Sequence, residues 1–405
     1  MRILNVLSNL APSYGGPVQV AREMTARLAA RGHEVSIYTT NLDYPRGVRD
    51  VPLNRPVEEN GVTIRYFPVE WTPMFVSLGL GRALARDVPS FDIVHVHGVY
   101  RYPQVIAGMM ARRHRVPYLV RTYGSLTPFM YHKNERKLPK RIYEHLFMYR
   151  LLNRAAAIHY TTREEAEQMA FLKLRAPRLV VSNGVEAARY HRPDLAGAFR
   201  ARHGLEGRLI VLHYGRITMK KGLDILVPAF ARLRQAVPDA MLVLAGADNE
   251  GFGTKVRGWI AAHGLEANVL FTGLLHGDEA LAALTDADIF ALASYTENFG
   301  ISVVEAMAAG RPVLISDQVN IWREIDAAGA GIVVPCDVDR CGEALLRLAN
   351  DPELRRTMGA AAQRAARRQF DWDHIIGDME AAYARYARPA SPAGDARPAT
   401  MPPVG

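Results

Sequence analysis

The 405-residue sequence contains only two cysteines, Cys336 and Cys341, and no uninterrupted apolar run of 18 residues. Two cysteines cannot form a disulfide framework or a four-cysteine zinc site. Apolar runs this short exclude a membrane-spanning helix. The first apolar run ends at Ser8 without the cleavage pattern of a signal peptide, so it predicts a buried strand. We therefore expect a cytoplasmic protein.

Length and composition predict two domains. At 405 residues and 49% hydrophobic content, the chain can bury two full cores. The formal net charge of +9 is uneven, because residues 101–155 hold twelve basic and two acidic side chains, a net +10. Within this segment, Lys133–Arg154 alternates cations with apolar and aromatic residues. This alternation is typical of an amphipathic helix. The helix either lies on an anionic membrane leaflet or packs on its own sheet with a solvated basic face.

Two apolar runs, residues 289–293 and 312–315, bracket a segment that predicts a short helix between two parallel strands. This pattern places Glu297 and Gly300 near the carboxyl end of the first strand. Doubly wound sheets bind their ligands outside these ends. Glycine lets the backbone approach a ligand closely, and the N-terminus of the next helix attracts anions. We therefore expect a polyhydroxylated, anionic ligand at this loop.

A second loop carries cations at the start of a helix. A predicted strand over residues 208–214 leads into Gly215, Arg216 and Lys221, and the helix after them extends to about Ala236. Guanidinium binds two oxygens at once and ammonium acts as a point charge, so Arg216 and Lys221 suit a diphosphate. The glycine spacing is not that of a Walker A loop.

The N-terminus shows a strand–helix–strand pattern whose first loop contains Gly15 and Gly16. The loop lacks the G-x-G-x-x-G spacing, which disfavours a dinucleotide. The two glycines either make a tight turn or approach a ligand. Farther along, His97 and Tyr123 follow two more predicted strands at their carboxyl ends. Tyrosine is a poor base at neutral pH, although it donates hydrogen bonds well.

One motif resembles a known family. Glu297, seven intervening residues and Glu305, within ENFGISVVEAMAAGRPV, resemble the signature of retaining glycosyltransferases of family four. The resemblance implies an α/β fold of the GT-B type, with two Rossmann-like domains facing across a cleft. On this reading residues 1–190 form the acceptor domain and residues 191–370 form the nucleotide-sugar donor domain. A last helix over 371–388 crosses back to the first domain, and we expect a disordered tail over 389–405.

The resemblance also implies roles for individual residues. Glu297 would contact the donor sugar and Glu305 the ribose, although Ser302 and Glu305 also fit a capping box. Arg216 and Lys221 would stabilise the leaving diphosphate, and His97 and Tyr123 would lie on the acceptor side. Many family members carry a histidine where Tyr123 falls, so this sequence departs from the family pattern at that position. The remaining donor contacts would come from Gly15, Gly16, Leu275, Asn298, Phe299 and Gly300.

The implied reaction is a retaining, metal-independent transfer of a hexose from a UDP- or GDP-sugar. The acceptor would be a hydroxyl of a saccharide or lipid-linked saccharide in bacterial surface polysaccharide biosynthesis, and no cofactor is expected. Asp337 and Asp339 resemble a metal motif, but their position before a helix predicts that Asp339 is an N-cap. Two alternatives are a sugar-nucleotide epimerase of the same fold and a basic nucleic-acid-binding protein. We expect no nucleic-acid partner, because the positive charge is confined to one segment.

Overall fold

The computed structural model describes residues 1–11, 14–43, 47–132 and 138–389. The chain divides into two compact units. Unit 1 comprises Met1–Ser182 together with the chain from Ile375 onward, and unit 2 comprises Asn183–His374. Except for Pro389, the predicted disordered tail lies outside the described residues, as do residues 133–137 of the basic segment.

Unit 1 is built on a sheet of eight strands in the order β10-β9-β8-β7-β1-β2-β6-β5, in which only β5 is antiparallel to its neighbour. Its strands, including the separate β3–β4 ribbon, are β1 Arg2–Asn9, β2 Glu34–Thr40, β3 Leu42–Asp43, β4 Gly47–Val48, β5 Pro56–Glu59, β6 Val62–Phe67, β7 Ile93–His97, β8 Tyr118–Arg121, β9 Ala157–Tyr160 and β10 Arg178–Val180. Its helices are α1 Gly16–Ala30, α2 Leu78–Asp87, α3 Tyr102–Arg113, α4 Pro128–His132, α5 Leu138–Tyr143, α6 Tyr149–Asn153 and α7 Arg163–Gln168.

Unit 2 is built on a fully parallel sheet of six strands in the order β13-β12-β11-β14-β15-β16. The strands are β11 Ile210–Tyr214, β12 Met241–Ala245, β13 Val269–Gly273, β14 Ile289–Leu292, β15 Val313–Ser316 and β16 Gly331–Val334. The helices are α8 Ala187–Tyr190, α9 Ala198–His203, α10 Leu223–Ala236, α11 Gly253–Ala262, α12 Gly277–Asp286, α13 Ile301–Ala308, α14 Trp322–Ala328, α15 Val338–Asn350 and α16 Pro352–Gln369.

Helices cover both faces of the unit 2 sheet, which is why its strands are largely apolar. Successive residues of β14 enter opposite cores: Phe290 and Leu292 pack into one hydrophobic cluster, whereas Ile289 and Ala291 pack into the other. This alternation follows from the two-residue period of a strand. All four side chains are fully buried, so the sheet is a rigid base for the loops that leave it.

Each sheet reverses its winding direction beside its first strand. In unit 2 the chain proceeds from β11 to β12 and β13 on one side, then returns to β14 on the other side. In unit 1, β1 lies between β2 and β7 in the same manner. Ligands of doubly wound sheets bind at such switch points, outside the carboxyl ends of the strands. In unit 2 the switch point brings together the loops after β11 and β14.

The units divide at 182/183, eight residues before the sequence-based border at 190/191. Backbone pairing explains the difference, because Val185 N donates to Phe370 O over 2.7 Å. The Asp371 carboxylate also accepts from Ala187 N at 3.1 Å. These bonds hold the first residues after Ser182 within unit 2.

The last helix, α17, spans Trp372–Tyr386, within the predicted range of 371–388. From Ile375 onward it is part of unit 1. Tyr383 Oη lies 2.8 Å from His95 Nδ1 in the buried interior, and the Glu380 carboxylate accepts from Arg31 at 2.8 Å. These bonds anchor the last helix to strand β7 and to the end of α1. No helix in the described ranges combines the length and apolar character needed to cross a bilayer.

Candidate functional site

Two loops meet at the switch point of unit 2. The loop after β11 runs from Gly215 to Gly222, and the loop after β14 runs from Ala293 to Gly300. Their backbones are joined directly, since Tyr295 N donates to Lys220 O at 2.8 Å. The loops therefore form a single surface at the carboxyl ends of adjacent strands.

Lys221 and Glu297 form an ion pair across these loops. Their side chains are 14% and 24% exposed, so the pair is partly shielded from water. The backbone of Glu297 is fixed on both sides, because its N donates to Gln318 O and its O accepts from Asn320 N, each at 3.0 Å. A lysine has three N–H donors and a carboxylate has several acceptor sites, so both groups can bind a further ligand.

Glycine is required where the two loops approach most closely. Gly222 has φ +63°, and a Cβ at this position would lie 1.8 Å from Ala293 O. Gly222 also precedes α10, whose first amide groups and positive dipole end face this region. Gly300 precedes α13 with φ +86°, and its Cβ would lie 3.1 Å from Val303 and Val319 side-chain carbons. Both helix starts therefore depend on residues without a side chain.

Arg216 directly follows the first glycine of the cationic loop. Its side chain is exposed and makes no hydrogen bond or ion pair with any residue in the described parts of the chain. A guanidinium in this state keeps all five of its N–H donors available for an anion. Arg216 and Lys221 therefore place two positive charges on the same loop.

Glu305 has a different environment from Glu297. It accepts a hydrogen bond from Tyr190 Oη at 2.7 Å. Burial raises the pKa of the Glu305 carboxyl, and the Tyr190 bond opposes that shift. The capping-box alternative is wrong, because the helix cap is Gly300, which makes no side-chain cap bond. Sequence reasoning missed Tyr190, which is 115 residues away from its partner.

The remaining donor-side candidates offer mainly backbone atoms. Phe299 is buried and packs edge-to-face on Phe370, with 5.7 Å between ring centroids. The side chain of Leu275, after β13, belongs to the hydrophobic core. Asn298, which lies between Glu297 and Phe299 in the sequence, is half-buried. Leu275 and Phe299 can therefore contact a ligand only through the main chain.

In unit 1, the structure brings His97 and Tyr123 together. His97 Nδ1 lies 2.7 Å from Tyr123 Oη, and His97 Nε2 lies 3.0 Å from Asn5 Oδ1. Burial, followed by the nearby His95, lowers the pKa of His97 well below its usual value. Burial raises the pKa of the Tyr123 hydroxyl. Both groups are therefore neutral near pH 7 and interact by hydrogen bonding.

Two further features of this cluster concern its backbone and its third member. Tyr123 adopts φ +50°, a left-handed conformation that is costly for a non-glycine residue. Asn5 was not predicted as a site residue, although an amide inside the buried apolar strand β1 was a usable signal.

Elsewhere in unit 1, Gly15 has φ +65° and precedes α1, which begins at Gly16. Gly15 O accepts from Val18 N at 3.1 Å, as at an ordinary helix start.

Among the described residues, no group of three or more His, Cys, Asp or Glu side chains could hold a metal ion. The prediction that Asp339 caps a helix is wrong. Asp337 is the N-cap of α15 and accepts from Arg340 N at 2.9 Å, whereas Asp339 pairs with Arg232. Asp337 therefore has the helix-capping role that the sequence predicted for Asp339.

Family comparisons agree with this architecture. The model of the glycosyl transferases group 1 matches residues 197–365, and that of the glycosyl transferase 4-like domain matches residues 15–184. The chain belongs to the group 1 glycosyltransferases. Its fold is GT-B, as the sequence predicts. The first match covers both loops of the unit 2 site and ends four residues before the end of α16.

Individual relatives of this glycosyltransferase differ in specificity. The D-inositol 3-phosphate glycosyltransferase of Jonesia denitrificans is 29% identical, over 92% of this chain and 91% of the relative. The GDP-mannose:cellobiosyl-diphosphopolyprenol alpha-mannosyltransferase of Xanthomonas oryzae pv. oryzae is 27% identical, over 93% and 95%. Among solved structures, Anabaena Alr3699/HepE in complex with UDP matches with a TM-score of 0.76 at 18% identity, over 95% of this chain and all of that chain.

Proposed function

We propose that this glycosyltransferase transfers a hexose from a UDP- or GDP-sugar to a hydroxyl of a saccharide or lipid-linked saccharide, with retention of anomeric configuration. The observation that carries the proposal is the Lys221–Glu297 pair beside the exposed Arg216 at a topological switch point. The UDP bound to Alr3699/HepE and the GDP-mannose in the name of the Xanthomonas relative support this donor class. Bacterial surface polysaccharide synthesis is the proposed role.

In the proposed reaction, Glu297 accepts hydrogen bonds from the sugar hydroxyls. Lys221 and Arg216 stabilise the negative charge that develops on the leaving diphosphate, so the chemistry needs no metal ion. Glu305 binds the ribose, and the backbone at Leu275 lies against the base. The backbone from Asn298 through Phe299 to Gly300 holds the sugar and phosphate.

The proposed acceptor site lies in unit 1, where His97 and Tyr123 bind a hydroxyl. Gly15 and Gly16 are proposed to contact donor phosphates through their backbone. Glu297 is paired with a lysine and is not proposed as a covalent nucleophile. We instead propose departure of the diphosphate and attack by the acceptor on the same face of the sugar, with the leaving phosphate accepting the proton.

Donor and stereochemistry are tested together. Wild-type protein is incubated with UDP-glucose or GDP-mannose and a panel of saccharide and lipid-linked acceptors, and release of UDP or GDP is measured. The one-bond carbon–proton coupling at the anomeric centre of the product then reports the linkage for glucosides and mannosides alike. We expect α-linked product from these α-linked donors. A β-linked product would contradict retention, and a changed sugar without any acceptor would favour the epimerase.

We also propose that unit 1 contacts an anionic membrane surface through the helix that follows the undescribed residues 133–137. Leu138, Ile142, Leu146 and Phe147 are 65, 51, 40 and 41% exposed. In the same segment Glu144 points inward and accepts from Tyr100 Oη at 2.9 Å. Exposed apolar side chains beside a basic segment are typical of helices that lie in a membrane interface. Lipid-linked acceptors would be reached from this surface.

The double variant Ile142→Ser/Phe147→Ser is expected to lose at least tenfold in vesicle binding, since burial of one large apolar side chain contributes about 1.5–3 kcal/mol. Co-sedimentation with vesicles of phosphatidylglycerol and phosphatidylcholine at low salt measures the loss. Leu274→Ser is the control, because this exposed residue lies in unit 2. Equal sedimentation of the wild type and the double variant would exclude this surface as the contact.

A further inference from the structure

His213 lies two residues before Gly215, where the cationic loop begins. It is the fourth residue of β11 and is fully buried. Neither ring nitrogen forms a hydrogen bond of normal geometry with any residue in the described part of the chain. The Ala291 backbone can satisfy at most one ring nitrogen, so the other is buried without a partner, which is unfavourable and calls for a reason. Sequence reasoning did not select this residue.

The imidazole and the Lys221 ammonium approach the same glycine. A Cβ added to Gly215 would lie 3.8 Å from His213 Nε2 and 3.7 Å from Lys221 Nζ. The absence of a side chain at Gly215 therefore leaves a space that both nitrogens border.

The charge state of His213 fits this neighbour. Burial, and then the charge of Lys221, lower the pKa of His213 to about 3, while the Ala291 backbone acts in the opposite direction. The ring is consequently neutral near pH 7. A neutral imidazole presents one nitrogen as a hydrogen-bond acceptor.

We propose that His213 is a positioning residue for Lys221, whose ammonium it holds through Nε2 when Glu297 binds the donor sugar. The inference rests on the proposed function. In that reaction Glu297 turns to the sugar hydroxyls, so Lys221 loses its carboxylate partner while it must stay directed at the diphosphate. A neutral acceptor fixes the ammonium without cancelling its charge, whereas a second carboxylate would repel the diphosphate.

A double-mutant cycle tests this role. Calorimetry measures the affinity of UDP and GDP for the wild type, His213→Phe, Lys221→Ala and the double variant. Phenylalanine keeps the ring and removes the nitrogens, so folding should be preserved, which a melting curve checks. We expect His213→Phe to weaken diphosphate binding about tenfold, as for a bond to a charged group. The double variant should bind no more weakly than Lys221→Ala alone, because coupled residues are not additive.

The outcomes separate the inference from the proposed function. Wild-type affinity in His213→Phe, or a full additional loss in the Lys221→Ala background, would overturn the positioning role. Unchanged diphosphate binding in Lys221→Ala would remove Lys221 from the diphosphate site and with it the positioning role, whereas no binding of UDP and GDP by the wild type would overturn the proposed function itself. Uridine and guanosine serve as controls, since their affinity should not respond to either substitution. If His213→Phe unfolds, His213→Asn enters the same cycle, because it also lacks Nε2.

Discussion

Lys221→Ala is expected to reduce donor turnover about ten- to a hundredfold, because a charge-assisted hydrogen bond contributes about 1.5–3 kcal/mol. The loss should appear mainly in kcat if the ammonium acts on the departing diphosphate, whose charge increases in the transition state. Steady-state release of UDP or GDP from the active donor measures the effect.

Lys220→Ala is the matched control for this substitution. Lys220 is adjacent to Lys221 in the sequence. Its backbone O accepts a hydrogen bond from the Tyr295 amide, so the loop should keep its conformation when the Lys220 side chain is truncated. We expect its turnover to remain within about threefold of wild type, because the truncation leaves the Lys221 ammonium and this backbone bond in place. Full activity in Lys221→Ala, or equal losses in both variants, would remove Lys221 from its assigned role.

Gly222→Ala is expected to lower the free energy of unfolding by about 2–5 kcal/mol, which combines left-handed strain with overpacking. The added methyl would lie 1.8 Å from Ala293 O, which is backbone and cannot rotate away. Relief requires the loop that carries Lys221 to separate from the loop that carries Glu297. Denaturant unfolding measures the stability, and UDP or GDP titration should show weakened binding in the fraction that folds.

Gly204 provides a control with the same backbone conformation. It also has φ +63°, yet nothing lies within 4 Å of a Cβ added there. Gly204→Ala should therefore lose only the conformational term, about 1–2 kcal/mol. Similar losses in the two variants would mean that the close approach of the loops contributes little to stability.

The family resemblance of the motif from Glu297 to Glu305 predicted the GT-B fold, and the residue pattern predicted the two loops of unit 2. Apolar runs marked their strands, and the rule for doubly wound sheets placed their loops at a ligand-binding edge. Neither pattern specifies that Lys221 meets Glu297, since these residues are 76 positions apart. Their contact depends on β11 and β14 being neighbours and on a glycine at 222 that admits the approach.

Local motifs were less reliable where distant residues compete for the same group. Ser302 and Glu305 have the spacing of a capping box, but Gly300 caps the helix and Tyr190 supplies the hydrogen bond to Glu305. His213 was equally inaccessible to sequence reasoning, because a histidine in a buried strand has no distinguishing local pattern. In both cases the partner becomes apparent only when the strand order and the loop conformations are known.

Ligand-dependent melting of the wild type and Arg216→Ala tests the proposed donor site most directly. UDP and GDP are compared with NAD and a short RNA, each supplied at about 100-fold its dissociation constant where binding occurs, which should stabilise the fold by about 2.7 kcal/mol. We predict a melting shift with UDP or GDP in the wild type and a much smaller shift in Arg216→Ala at the same concentration. No shift with either diphosphate, together with a response to NAD or RNA, would contradict a nucleotide-sugar site at these loops.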